Sequence, residues 1–178
     1  MERDYQAGTV SVQDFSAFYV GTLAGRTPAQ WQATRQDFLH EVVAPRIGPA
    51  ARALVREQQQ AGARVVLTTA TNRFITELTA QDLGIEHLIA TDCELDAQGR
   101  FTGSPTGTLN MREGKVARLH AWLAERGERL QDFDSWAWSD SANDLPLLHA
   151  VQHPVATHPD ARLAAVAAEH GWPVLKLH

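Results

Sequence analysis

Three short runs of this chain carry residue types that could do chemistry. The first is Trp138-Ser139-Asp140-Ser141-Ala142-Asn143-Asp144-Leu145-Pro146-Leu147-Leu148. An aromatic, apolar stretch ends in a polar cluster, and the cluster opens a Leu-rich stretch. That order predicts the end of a buried strand, a tight loop and a helix, where open α/β sheets place their ligands. Asp140 at the strand end and Asp144 at the helix start suit a hard divalent cation such as Mg²⁺. Capping accounts for Asp144 taken alone, but less well for Asp140, Asn143 and Asp144 converging there. The second run, Val66-Leu67-Thr68-Thr69-Ala70-Thr71-Asn72, ends an apolar stretch in hydroxyls just before a helical segment. Hydroxyls and free N–H groups at a helix start can cradle phosphate. A Thr-rich strand end with an Asn cap gives the same pattern. The third is Gly114-Lys115. A Lys in the first turn opposes the helix dipole and suggests an anionic partner; the alternative is a solvated Lys beside Arg112 and Arg118. It is not a P-loop, because Val116 follows the Lys and the upstream glycine is missing.

The elements that must position these runs follow from periodicity. Val12, Phe15, Phe18 and Tyr19 recur at helical spacing. Thr27-Pro28-Ala29-Gln30 predicts a second helix with a capping box, Trp31, Phe38 and Val42 forming its apolar face and Pro45 and Gly48 its end. A third helix is expected over 49–60, with Leu54 and Val55 inward and Gly62 as its stop. The character then changes. Strands are expected over 64–69, buried and parallel, and over 87–91, 135–138, 154–156 and 173–177. A hairpin is expected around Asp96-Ala97-Gln98-Gly99. Helices between them start near Phe74, Gly114, Leu145 and Asp160. The tryptophans at 31, 122, 136, 138 and 172 are expected in the core, with Trp136 and Trp138 on one strand face. His149, His153, His158 and His170 show no ligand spacing and read as solvated or capping. Alternating strands and helices predict a mostly parallel α/β sheet. The helical start predicts a small subdomain over 1–46 ahead of an α/β core over 47–178.

Composition narrows the function classes. The 178 residues, 44% hydrophobic and 21% charged, support one sizeable core with a small appendage. The net charge is -5 and the basic residues are scattered, which argues against nucleic acid as a partner. Cys93 is the only cysteine, so neither an internal disulfide nor a cysteine zinc cluster is available. No apolar run follows Met1-Glu2-Arg3-Asp4-Tyr5, and no stretch approaches the ~20 apolar residues of a membrane span. No signal peptide, no membrane partner and a cytoplasmic location are therefore expected. The lack of a Gly-rich loop weighs against a doubly wound nucleotide binder.

Taken in order, the three runs resemble motifs two, three and four of the haloacid dehalogenase (HAD) superfamily, and most of all its phosphoserine-phosphatase-like branch. The matching residues are Thr69-Ala70-Thr71-Asn72-Arg73-Phe74, then Arg112-Glu113-Gly114-Lys115, then the run from Ser139 to Leu148. The hairpin over 94–103 and His158-Pro159-Asp160-Ala161-Arg162-Leu163 are similar to that branch too. The likeness covers most of 47–178. It implies a HAD-like Rossmannoid parallel sheet with flanking helices, the first helices being part of the small cap that such enzymes insert after their first strand. It also implies roles. Thr69 would hold the transferring phosphoryl group, with the backbone of Ala70 and Thr71 nearby. Lys115 would neutralise charge, and Asn143 would shape the loop. Asp140 would bind Mg²⁺ directly, and Asp144 through water or by orienting the loop. The implied reaction is hydrolysis of a small phosphorylated metabolite through an aspartyl-phosphate.

The chain departs from the pattern at its start. The family's first motif, Asp-x-Asp at the end of the first strand, should supply the nucleophile, the acid/base and a metal ligand, and the chain reads as lacking it, with no Asp-x-Asp read anywhere along its length. Asp4, Asp14 and Asp37 follow no apolar strand. Two expectations compete. The chain is a shortened form of a complete phosphatase, with Met1 inside the cap, or it is a non-catalytic HAD-like domain that binds phosphate or a protein. Either way, little or no turnover is expected of these residues alone. A sheet lacking a central strand would leave backbone groups unpaired and could drive formation of an oligomer.

Overall fold

The computed structural model describes residues 9–177. They divide into two compact units, one holding the chain up to Ile47 with Arg52–Asn110, the other Gly48–Ala51 with the chain from Met111 onward.

The first unit begins with two capped helices. Ser11 caps α1 (Val12–Gly21) by accepting from the Asp14 N–H. Thr27 and Gln30 close the expected capping box on α2 (Pro28–Asp37), which continues as a π turn, Phe38–Val43, and a 3₁₀ turn, Ala44–Arg46. Pro45 removes a donor there and ends the run. Helix α3 (Pro49–Gln60) is tied to residues 82–84 by Arg52 donating to the Asp82 carboxylate and Gln59 donating to the Gly84 carbonyl. Then come β1 (Val66–Asn72), α4 (Arg73–Asp82), β2 (His87–Leu95) and β3 (Phe101–Thr106). β1 and β2 pair in parallel, and β2 and β3 form the antiparallel hairpin. Asp96 closes the hairpin, its Oδ1 accepting from the Gln98 and Arg100 N–H groups at 2.9 Å. Gly103 sits at φ +91°, and a Cβ there would lie 3.0 Å from Ala24 Cβ, so only glycine lets β3 lie against the end of α1.

The second unit contains α5 (Glu113–Ala124), β4 (Trp136–Ser139), α6 (Leu145–Ala150), β5 (His153–Thr157), α7 (Ala161–His170) and β6 (Val174–Leu175). Its three strands are parallel, with β5 in the middle. Ala137, Leu147, Leu148, Ala156, Leu163 and Ala167 make the core. Asp160 caps α7, and Gly171 ends it in the left-handed conformation. The mixed α/β class with parallel strands and flanking helices is as expected. Among the described residues no helix is long and apolar enough to cross a membrane.

Three expectations need correction, two of them with one cause. β1 runs on to Asn72, and its residues 66–70 are only half-buried. Trp136 is 49% exposed rather than in the core. Among the described residues β1 pairs with β2 alone and β4 with β5 alone, so each lies at the edge of its own three-stranded sheet. Trp136 offsets this by stacking on the His153 ring at 4.3 Å and on Trp138 at 5.8 Å, which confirms the shared face. Leu54 and Val55 are half-buried, and no residue of α3 is fully buried.

Candidate active site

In the first unit the hydroxyl run forms an irregular strand end. The parallel register is regular as far as Thr69 opposite Ala90, then jumps to Asn72 opposite Thr91, so Ala70 and Thr71 are extra residues bulged out of the ladder. Side chains hold that bulge. Thr69 Oγ1 accepts from the Thr71 N–H at 3.2 Å, and its own O–H has no acceptor among the described residues. Thr91 Oγ1 donates to the Ala70 carbonyl at 2.9 Å. Asn72 caps α4 by accepting from the Ile75 N–H. Beneath them lies Asn110, with 0% exposure. Its Nδ2 donates to the Thr69 and Ile89 carbonyls at 2.8 Å and to Thr68 Oγ1 at 3.0 Å. Thr69, Ala70 and Thr71 thus sit in and beside the bulge at the end of β1.

In the second unit the acidic loop is tied from three sides. Lys115, only 7% exposed, places Nζ 2.7 Å from both Asp144 carboxylate oxygens. Its position at the start of α5 is therefore no solvated surface site: the cation that the helix dipole disfavours is paired with a carboxylate. Ser139 Oγ donates to Asp144 Oδ2 at 2.8 Å and accepts from the Ser141 N–H. Arg112 Nε donates to Asn143 Oδ1 at 3.4 Å. Asp160 staples the loop from α7, its Oδ2 accepting from the Ala142 N–H at 2.7 Å and its N–H donating to the Asp140 carbonyl at 2.8 Å. Lys115, Asp140, Asn143 and Asp144 all belong to this one loop and helix start. Arg112, just before α5, holds φ +49°, a conformation that non-glycine residues rarely adopt.

The carboxylates fit a hard cation only in part. Asp140 is exposed, and its carboxylate makes no hydrogen bond or ion pair among the described residues. Asp144 has its oxygens committed to Lys115 and Ser139. Among the described residues no group of three or more His, Cys, Asp or Glu is placed to hold a metal ion. Magnesium is commonly held by one or two carboxylates, with water and phosphate completing its shell. Asp140 suits the direct position and Asp144 the indirect one.

Asn110 supports the strand end in the first unit, and Ser139 and Asp160 hold the loop in the second, yet the sequence alone does not show what they do. Asp160 carries the signature of a helix cap, and its second oxygen reaches back to the loop. Ser139 is visible only as part of the acidic run. Asn110 has no periodic or motif signal at all. The reading of the chain as lacking any Asp-x-Asp also needs correction. Asp132-Phe133-Asp134 has that form, but it precedes β4, where Asp132 pairs with Arg129 and Asp134 with His153. It lies just before the strand's first residue, at the opposite end from Asp140.

Comparison with known proteins bears on the family and the fold. Residues 2–149 match the haloacid dehalogenase-like hydrolase family. The chain is 42% identical over 174 residues to the histidinol-phosphatase of Neisseria meningitidis, covering 97% of this chain and 78% of that protein. It is 33% identical over 152 residues to the phosphoserine phosphatase SerB1 of Mycobacterium tuberculosis, covering 85% of this chain but only 48% of that longer protein. A crystal structure of a Bordetella pertussis protein of unknown function superimposes with a TM-score of 0.95 at 40% identity, over 99% of this chain and 79% of that one. The chain belongs to the haloacid dehalogenase-like hydrolases and stands among the phosphatases of that family.

Proposed function

We propose that the chain is a Mg²⁺-dependent phosphomonoester hydrolase for a small phosphorylated amino compound, with histidinol phosphate as its substrate. The observation that carries this reading is the second unit's loop. It holds an exposed Asp140, whose carboxylate has no partner among the described residues, beside an Asp144 already gripped by Lys115 and Ser139. A bare carboxylate at a strand end, beside a neutralised one, is ready for an external cation. The choice of substrate follows the Neisseria relative, which is the more similar of the two curated ones and is matched over more of its length.

In this reading the Thr69 hydroxyl and the N–H groups of Ala70 and Thr71 hold phosphoryl oxygens. Lys115 supplies positive charge, and Asn143 shapes the loop. Asp140 would bind Mg²⁺ directly, and Asp144 would act through water or by orienting the loop. When bound, the metal neutralises phosphate charge. The segment over 1–46 serves as the cap, the location is cytoplasmic, and the sheet edges allow association. The attacking carboxylate of the aspartyl-phosphate route is supplied by none of these groups. The 178 residues alone therefore turn over little or no substrate.

The test is a titration with Mg²⁺ and histidinol phosphate, O-phosphoserine or inorganic phosphate, alongside a p-nitrophenyl phosphate assay. Histidinol phosphate is expected to bind tighter than phosphoserine, with negligible turnover. An apolar strand ending in Asp-x-Asp, added ahead of Met1, is expected to give turnover. Tighter binding of phosphoserine would remove the proposed substrate. Robust hydrolysis by the unextended chain would overturn the account of its missing nucleophile, and no phosphate binding at all would overturn the whole reading.

A further inference from the structure

We propose that Asn110 is a positioning residue of the phosphate cradle: its buried amide fixes the bulged end of β1 in the conformation that binds phosphate. The inference rests on the phosphatase reading above and adds to it a residue with no motif signature.

The bulge creates the need. Two extra residues leave the ladder between Thr69 and Asn72, so the carbonyls around them lose regular strand partners. Asn110 takes the Thr69 carbonyl and the facing Ile89 carbonyl with one NH₂ group, and Thr68 Oγ1 lies within its reach. Its own backbone N–H donates to Thr91 Oγ1 at 3.3 Å, and that hydroxyl in turn donates to the Ala70 carbonyl. One residue thereby sets the carbonyls on both sides of the Thr69–Ala70 step, and with them the directions of the Thr69 hydroxyl and the following N–H groups.

The other end of the same amide shows what that placement costs. Asn110 Oδ1 is buried and has no hydrogen-bond partner among the described residues. Turning the amide over would give no relief, because it would set an oxygen against two carbonyls. A buried acceptor left unpaired lowers stability. A side chain kept only to fill space would be apolar, or satisfied at both ends. Asn110 instead accepts an orphaned oxygen so that its NH₂ can hold the strand end.

The experiment compares the wild-type chain with Asn110→Asp, which keeps the volume but replaces the donor NH₂ by an oxygen, and with the smaller, uncharged Asn110→Ser. Ile85→Ala removes a buried side chain of the same unit away from the cradle and serves as the stability control. Amide hydrogen exchange at 69–72 is read without ligand, and the affinity for inorganic phosphate is read with Mg²⁺. Both Asn110 variants are expected to speed exchange and to weaken phosphate binding about 10-fold, the usual scale for losing a supporting partner behind a binding group. Ile85→Ala is expected to lower Tm and leave phosphate affinity within about twofold, since a distant packing change spares the site. Should the aspartate variant not fold, the serine variant decides. Folded variants with wild-type exchange or wild-type phosphate affinity would overturn this inference alone. An equal loss of affinity in Ile85→Ala would do the same, reducing Asn110 to a structural role. Failure of the wild-type chain to bind phosphate would overturn the phosphatase reading and this inference with it.

Discussion

Lys115 Nζ lies 2.7 Å from both carboxylate oxygens of Asp144, and both side chains are largely withdrawn from water. Two runs separated by almost thirty residues meet in that pair. A charge removed from water is costly unless its partner remains, so the two residues act as one unit.

Removing either partner strands the other. Lys115→Met and Asp144→Asn are each expected to lose about 3–5 kcal/mol of stability, the range for breaking a buried pair from one side. The double variant should lose clearly less than the sum of the two. Urea denaturation of all four proteins checks this, and additive losses would show that the two groups are not coupled.

Asp140 is the opposite case. Its carboxylate has no partner among the described residues, so Asp140→Asn should change stability by less than about 0.5 kcal/mol. Any rise in Tm caused by millimolar Mg²⁺ in the wild type should vanish in the variant, because ligand stabilisation scales with binding. Thermal scans with and without Mg²⁺ read both quantities. A Mg²⁺ shift that survives the substitution would place the ion elsewhere.

Cys93 reports on the fold through pH. Burial, with a further push from Asp92, raises its thiol to about 11. A raised thiol means that the folded chain holds its proton more tightly than the unfolded chain. The resulting stability is fully present below the unfolded thiol range near 9 and is lost as pH rises towards 11. At pH 8 the folded thiol should react with iodoacetamide about 100-fold more slowly than in urea, following its smaller thiolate fraction. Equal rates in the two states would contradict the placement of β2 around Cys93.

Arg35 fastens α2 to the start of α4. Its guanidinium donates to the Phe74 carbonyl at 2.8 Å, lies 3.2 Å from Glu77 and sits 4.4 Å above the Phe74 ring. Arg35→Ala should cost about 1.5–3 kcal/mol, as for hydrogen bonds made by a charged group. Lys should restore little, since it lacks the planar fork that serves all three contacts. Denaturation and limited proteolysis between α1 and α2 measure the loss, and full rescue by Lys would reduce Arg35 to a simple charge.

Local rules of sequence carried much of the fold. The Thr27–Gln30 capping box and the Asp96 turn are short-range hydrogen-bond patterns, and both occur where the residues predict them. Lys115, Asp140 and Asp144 were legible because their types and order are unusual for plain helix starts. Asn110 was not legible, since its role depends on three acceptors that lie about twenty or forty residues away. The exposure of Trp136 was hidden for a related reason. Its apolar surroundings in sequence do not say whether its strand lies in the middle of a sheet or at an edge.

The left-handed backbone at Arg112 sets two pressures against each other. Holding φ +49° without a glycine costs about 1–3 kcal/mol. Arg112→Gly would release that strain and at the same moment remove the side chain that reaches Asn143. Selection for thermal robustness alone would drift toward glycine there, and selection for a held acidic loop would keep arginine. The residue found at 112 in a related chain is thus a readout of which demand that chain has met.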